Sequence, residues 1–310
     1  MTGRDGRNWK IYNEQLVQRG ELLLDFDFVE KWDTYIGIIN ENKFGRPYHY
    51  PEQYIAFLGG IKMAFHLPYR ELEGVSRKLG KILNIPSSDW STTHRRLNQI
   101  KVEIDPEDKD DKDEEDIIVA VDSSGIKVTN RGDWLRKKWG KEKKKGFIKI
   151  HLAVDVKKKK ILAMEVSKED VSDSRKFKKL IKRSIGRKKK GKKGRVKKVL
   201  ADGAYDTRKN FNLLEEMGIE PGIKVRKNAS RKARGFPARK KAVLEFQDLG
   251  YESWKEKKHY GQRWAVEGIY SSFKRTFGEY VMSKKYCYAK KELLFKMRIL
   301  NSFISLKPIY

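Results

Sequence analysis

Residues 103–116 (EIDPEDKDDKDEED) hold ten acids and two lysines, and no hydrophobic residue stands between Ile104 and Ile117. Such a run cannot bury enough apolar surface to offset the entropy of ordering it, so it reads as a solvated linker. It divides the chain into parts with different hydrophobic periods. The expected organisation is a first domain over 1–102, the linker over 103–116 and a second domain over 117–310.

Before the linker the period is helical. Leu16, Leu23 and Leu24 precede an apolar stretch over 26–39, and Pro51 opens a segment with Ile55, Leu58, Ile61 and Phe65 at spacings of three and four. Two further helices follow, over 69–83 and about 88–100, with Ser88 or Asp89 placed to cap the second. That helix carries Thr92, Thr93, His94, Arg95 and Arg96 near its start. The pair fits a helix-turn-helix-like DNA reader with Arg95 and Arg96 as contacts. It fits an ordinary helical hairpin equally well.

After the linker come short apolar runs. IIVAVDSS (117–124) is a continuous β-branched strand, and 149–156 and 161–166 flank four lysines as a hairpin. A helix over 174–184, a strand over 196–202, a helix over 207–218 and a strand over 220–225 follow, then helices over 259–277 and 288–304. Three meandering strands followed by alternating helix and strand give a ribonuclease-H-like α/β domain behind a small all-α domain. The basic stretch at about 226–258 reads as an insertion without an assigned role.

Charge speaks to partners. Against 42 Asp and Glu the chain sets 71 Lys and Arg, a formal net charge of +29. Residues 182–198 carry eleven bases and no acid, and 224–241 nine bases and no acid. Loops of this kind are suited to phosphate contacts, with Lys188, Lys189 and Lys190 at the centre of the first, and nucleic acid is the polyanion they suit. Solvated lysine-rich faces are the plainer alternative. A single cysteine, Cys287, and the lack of any apolar run near 18 residues lead to an expectation of a soluble intracellular protein with no membrane partner.

Two acids stand where strands end: Asp122 after IIVAV and Asp202 at the start of ADGAYD. Carboxylates at the tips of adjacent strands repel, and hard divalent ions such as Mg²⁺ or Mn²⁺ relieve the repulsion. The third candidate comes from a helix. Tyr260, Arg263, Glu267 and Lys274 project within about 60° on an α-helical wheel, while Val266, Ile269, Phe273 and Phe277 form the apolar stripe. A solvated face with a Glu267–Arg263 ion pair remains open. Asp206 and Asp173 read as helix caps, Asp133 and Asp155 as further bystanders, and His151 and His259 as structural or phosphate-contacting residues. Trp134, Trp139 and Trp264 are read as buried aromatics or as stacking partners for an unpaired base.

At these positions the chain resembles the DDE transposases of bacterial and archaeal insertion sequences, in the group with a Tyr-x2-Arg-x3-Glu-x6-Lys signature. Tyr260, Arg263, Glu267 and Lys274 match it, and the contexts VDSSGIKV and ADGAYD are similar to that family. The resemblance covers about residues 117–306. It implies a catalytic and metal-binding triad of Asp122, Asp202 and Glu267 holding two Mg²⁺ or Mn²⁺ ions, with Arg263, Lys274 and Tyr260 on DNA phosphates. It further implies binding of double-stranded terminal inverted repeats, end cleavage, joining of 3′ ends to target DNA and a homodimer on DNA. The expected location is cytoplasmic, at a prokaryotic nucleoid. A DNA-binding protein with a silent catalytic domain and a nuclease of the same fold are the alternatives.

Overall fold

The computed structural model describes residues 8–104, 116–128, 146–185, 196–232 and 234–306. The chain separates into two compact units, one formed by 1–103 with 282–310 and the other by 104–281. The last helix therefore belongs with the N-terminal helices, which moves the expected boundary at 310 back to 281.

The first unit is helical throughout its described residues: α1 (Trp9–Leu23), α2 (Asp27–Glu30), α3 (Trp32–Asn40), α4 (Glu52–Phe65), α5 (Tyr69–Leu83), α6 (Trp90–Gln99) and, from the end of the chain, α11 (Tyr286–Ser305). Its core gathers Phe28, Tyr54, Ile55, Leu58, Leu72 and Leu97 with Phe295 of α11. Each such side chain contributes about 1.5–3 kcal/mol when fully buried. Gly59 lets α4 approach α6, since a Cβ there would meet Leu97 Cδ1 at 2.5 Å.

Helix α11 is also held by charge. Glu292, buried, pairs with Lys296 at 2.8 Å and accepts hydrogen bonds from Met282 N at 3.0 Å and Ser283 Oγ at 2.7 Å. Burial alone would push its carboxyl up, yet Lys296 and these donors outweigh it and hold the pKa down. The sequence pattern could not place this helix, because an amphipathic stripe records that a face is buried and not against what.

The second unit is built on a mixed sheet of five strands: β1 (Ile117–Lys127), β2 (Phe147–Asp155), β3 (Ile161–Lys168), β4 (Val196–Ala201) and β5 (Glu220–Ile223), in the order β3-β2-β1-β4-β5. β1–β2 and β2–β3 are antiparallel, while β1–β4 and β4–β5 are parallel. Helices α7 (Ser174–Ile185), α8 (Arg208–Glu216), α9 (Pro237–Lys258) and α10 (Trp264–Phe277) complete the unit. Val119, Val121, Val199 and Ala201 point to one face, where Phe177, Leu180, Phe211 and Leu214 of α7 and α8 cover them. Helix α10 packs on β1 and β2.

Two sequence expectations change here. The stretch read as a basic insertion contains α9, bent at Gly250 (φ 72°), whose buried side chains are only Ala238, Val243, Trp254 and Lys258. Four buried positions in 22 residues leave too sparse an apolar stripe to be read as a helix. The helix expected over 259–277 begins at Trp264; Tyr260–Arg263 form a 3₁₀ turn behind His259, whose left-handed φ of 52° ends α9.

Candidate active site

The parallel register sets the first two acids side by side. Val121↔Ala201 is the last pair between β1 and β4, so Asp122 and Asp202 each follow it on strands spaced about 4.8 Å apart. Because side chains alternate, Asp122 turns from the α7–α8 core toward the side that α10 covers. Asp122 does not end its strand, as the sequence suggested: β1 runs on to Lys127, paired with β2 as Asp122↔Leu152. Asp202 is the first residue beyond β4, and its Oδ1 accepts a hydrogen bond from Ala204 N at 3.0 Å, capping a short 3₁₀ turn.

The third acid arrives on α10. Arg263 Nη1 donates to Asp122 Oδ2 at 2.9 Å, and its Nη2 donates to Glu267 Oε1. One planar guanidinium thus spans the two carboxylates, which lie within roughly 8 Å of each other. Tyr270, three residues after Glu267 and buried, places its hydroxyl 2.9 Å from Asp122 O and 3.0 Å from Ile150 O. It ties α10 to β1 and β2 at the level of the acid. Sequence reasoning missed Tyr270; its offset from Tyr260 puts it near 280° on the helical wheel, between the polar and apolar stripes.

The electrostatics follow from burial. Desolvation raises the pKa of Asp122; the Ser123 N–H at 2.8 Å and Arg263 oppose this, and the neighbouring Asp202 adds to it. Tyr260 is buried against the Trp254 ring, with centroids 5.1 Å apart, and burial first of all pushes its phenol up to about 12. Arg263 Cζ stands 5.8 Å from the Tyr260 ring, so the tyrosine backs the guanidinium. Burial disfavours the charge on Arg263, but Tyr260, Asp122 and Glu267 outweigh it and its pKa is raised.

Other sequence candidates take separate places. Lys274 lies in the last turn of α10, half-buried, and enters none of the ion pairs of the described residues. On α6, capped by Asp89 through Ser91 N and Thr92 N, Arg95 is exposed. Arg96 is a correction: it is 4% exposed, its Cζ 3.9 Å above the Tyr48 ring, so it serves the helical core and presents no charge to a phosphate. Lys188, Lys189, Lys190, Asp133, Trp134 and Trp139 lie outside the described residues. Trp264 is 71% exposed, beside Arg263.

Asp206 was expected to cap α8, but Thr207 does so, and the buried Asp206 carboxylate takes a two-point ion pair from Arg239 at 2.6 and 2.9 Å. Asp155 accepts from Lys157 N and Lys158 N in the β2–β3 turn, and Asp173 reaches Lys149 Nζ at 3.2 Å. His151 is buried with Nε2 2.8 Å from Ser167 Oγ, a structural role.

The family model described as "Transposase DDE domain" matches residues 113–302, and a second model with the same description matches 17–131. The chain belongs to the DDE transposase domain family. It is a DNA transposase, an enzyme that cleaves DNA and transfers strands. Among solved structures it is similar to a piggyBac transposase synaptic complex with hairpin DNA (10% identity, 93% of this chain and 74% of that one, TM-score 0.40). It is also similar to the Mos1 mariner paired-end complex with Mn (12% identity, 78% and 85%, TM-score 0.27).

Enzymes of this family use divalent metal ions. Among the described residues no three His, Cys, Asp or Glu side chains are drawn together as a metal site. A cation nonetheless already sits between two of the acids, the guanidinium of Arg263, while Asp122 and Asp202 repel each other next to it. Oxygen-only donors around a position that attracts positive charge fit a hard divalent ion once Arg263 turns aside.

Proposed function

We propose that this chain is the transposase of an insertion sequence: it binds duplex terminal inverted repeats, cuts at the ends and joins the freed 3′ ends to target DNA. The observation that carries the reading is Arg263 bound at once by Asp122 and Glu267, with Asp202 beside Asp122. Arg263 thus joins residues of β1 and α10, Asp202 neighbours the first of them, and the sheet order supports a ribonuclease-H-like reading.

Asp122, Asp202 and Glu267 would hold two divalent ions, which when bound supply a low-pKa nucleophile and stabilise the leaving oxygen. Asp122, central in the sheet and held by Tyr270 through its own carbonyl, is the best placed to serve both. A phosphate entering the site draws Arg263 off the carboxylates and accepts its two-point fork. Lys274 extends the contact along α10, Tyr260 supports Arg263 from below, and exposed Trp264 stands ready to stack on a base at the cut end. Pairing of two DNA ends calls for a homodimer on DNA, working at a prokaryotic nucleoid.

The test incubates purified protein with terminal-repeat duplex and Mg²⁺ or Mn²⁺ beside an Asp122→Asn variant. Cut and joined product from the native chain alone supports the reading. Equal product from both proteins refutes the catalytic role of Asp122, cutting without joining indicates a nuclease, and binding without product indicates a silent DNA-binding protein.

A further inference from the structure

Helix α1 of the first unit faces the wrong way for an ordinary surface helix. Gln18 is its one buried residue, and Gln15 Nε2 donates to Leu306 O at 3.3 Å, so glutamines meet the rest of the unit. With Gln18 at 0° on the helical wheel, Leu16, Trp9 and Gly20 stand at about 160°, 180° and 200°, and Val17 at about 260°. These side chains point outward: Trp9 is 44% exposed, Leu16 41% and Val17 56%, with Leu24 just past the helix end. A Cβ on Gly20 would meet nothing within 4 Å. An apolar stripe turned outward while glutamine is turned inward marks an interaction face.

Two further features of the same unit bear on what covers that face. At the C-terminal end of α1 a groove of about 430 Å³ is lined by Leu22, Leu23, Phe57 and Ile299, with Asp25 and Asp27 in its wall and Arg298 as its single cation. Charge also runs in one direction along the helix. Lys10 stands at its start, and Glu21, Asp25 and Asp27 stand at and beyond its end; all four are exposed, and none enters an ion pair among the described residues. Lys10 and Glu21 each sit at the helix end whose dipole disfavours their charge. A second α1 laid antiparallel sets a basic start beside an acidic end twice over, whereas a parallel one sets acids against acids.

We infer that α1 is the contact between two copies of this chain: the helices pair antiparallel across a two-fold axis near Leu16, and Trp9 of each copy enters the groove of the other. A two-fold axis brings one patch onto itself, so residue i meets j and j meets i. With Leu16 at the axis, Trp9 falls opposite Leu23 at the groove, and Lys10 falls opposite Leu22, one residue from Glu21. Lys10 and Glu21 share a flank, at about 280° and 300° on the wheel, and like flanks meet in an antiparallel pair. The inference rests on the transposase reading only in taking a second copy as the occupant, since pairing two DNA ends calls for two chains.

The experiment is sedimentation equilibrium of the full chain without DNA or divalent ions, so its outcome is independent of whether the protein cuts DNA. One helix and one inserted side chain per copy fall short of the about 800 Å² per partner of a standard interface, so a dimer dissociating in the micromolar range is expected. Trp9→Ala should weaken it about tenfold or more, as the loss of a central aromatic anchor does. Lys10→Glu and Glu21→Lys should each weaken it by a smaller factor, and mixing the two restores both ion pairs in a heterodimer that regains native affinity. Phe44→Ala changes a side chain 99% exposed elsewhere in the unit and should leave the dimer intact. Lys10, Glu21 and Phe44 are exposed and Trp9 is partly so, and an unchanged Tm verifies that each variant is folded. A chain that stays monomeric throughout this range, a dimer indifferent to Trp9→Ala, an equal loss in Phe44→Ala, or a mixture no tighter than its components overturns the inference.

Discussion

Arg263 and Asp122, 141 residues apart, are joined by a 2.9 Å ion pair that closes the acidic pocket from the α10 side. The same guanidinium neutralises Glu267, so the protein without metal carries its own counter-ion. Arg263→Gln is expected to lower stability in chelator by about 1.5–3 kcal/mol, the range for a hydrogen bond to a charged group. Added Mn²⁺ should then raise Tm more in the variant than in the native chain, because no guanidinium competes for the carboxylates. Thermal melts with and without Mn²⁺ decide it; a smaller shift in the variant would count against competition.

Asp122→Asn should abolish DNA cleavage while leaving Tm in chelator unchanged or higher. A raised pKa means that the ionised carboxylate is less favourable in the fold than in water, so above its ordinary titration range the charge costs stability. A neutral isostere removes that cost and keeps the acceptor for Ser123 N. About 1 kcal/mol moves Tm by about 2–4 °C in a chain of this size. A clear fall in Tm would show that the Arg263 pairing outweighs desolvation.

Tyr270→Phe removes the hydroxyl that joins α10 to the carbonyls of Asp122 and Ile150. Two buried acceptors lose a partner, at about 1–3 kcal/mol. Cleavage should fall by more than this stability loss explains at a temperature where the variant is fully folded, since the backbone under Asp122 is released. Denaturant melts and cleavage rates on one preparation give both numbers.

Arg239→Gln strands the buried Asp206 carboxylate, whose side chain is 0% exposed, and should cost about 3–5 kcal/mol. Adding Asp206→Asn removes the orphaned charge and should recover most of the loss. Stabilities of the four proteins in this cycle measure the coupling, and strict additivity would remove the ion pair from the account of how α9 is held.

Burial pushes His151 down to about 4, with the charge of Asp173 only partly opposing it. The folded protein keeps the imidazole neutral while the unfolded chain takes a proton near its ordinary 6.5. Stability above that value is therefore lost as pH falls from about 6.5 to 4, by up to about 1.4 kcal/mol per pH unit, with no further loss from this group below. His151→Asn should flatten the dependence of Tm on pH across that window, and an unaltered slope would show that other groups dominate it.

Much of the architecture could be read from residue order, because it depends on short-range pattern. A β-branched run such as Ile117–Val121 reports a buried strand, and the stripe of Val266, Ile269, Phe273 and Phe277 reports the buried face of α10. The candidate acids were likewise visible as carboxylates behind apolar runs and on the signature stretch, although Asp122 lies within β1 and not at its tip. Tyr260 was read on the wrong geometry, since His259 adopts a left-handed conformation that no spacing reveals and the following turn is 3₁₀. Arg96 was misplaced because a helical wheel cannot tell an exposed cation from one stacked over a ring that arrives from another segment.

By itself, the order of residues determined the family, offered three acids as candidates and fixed the order of the strands and of every helix of the second unit but α9, since each depends on side-chain type and on spacing within a few turns. Tertiary structure alone decided that Asp122 and Asp202 follow one register pair, that Arg263 bridges Asp122 to Glu267, and that α11 folds back onto the N-terminal helices. Those facts depend on which distant surfaces exclude water together, and periodicity along one chain carries no record of its partner.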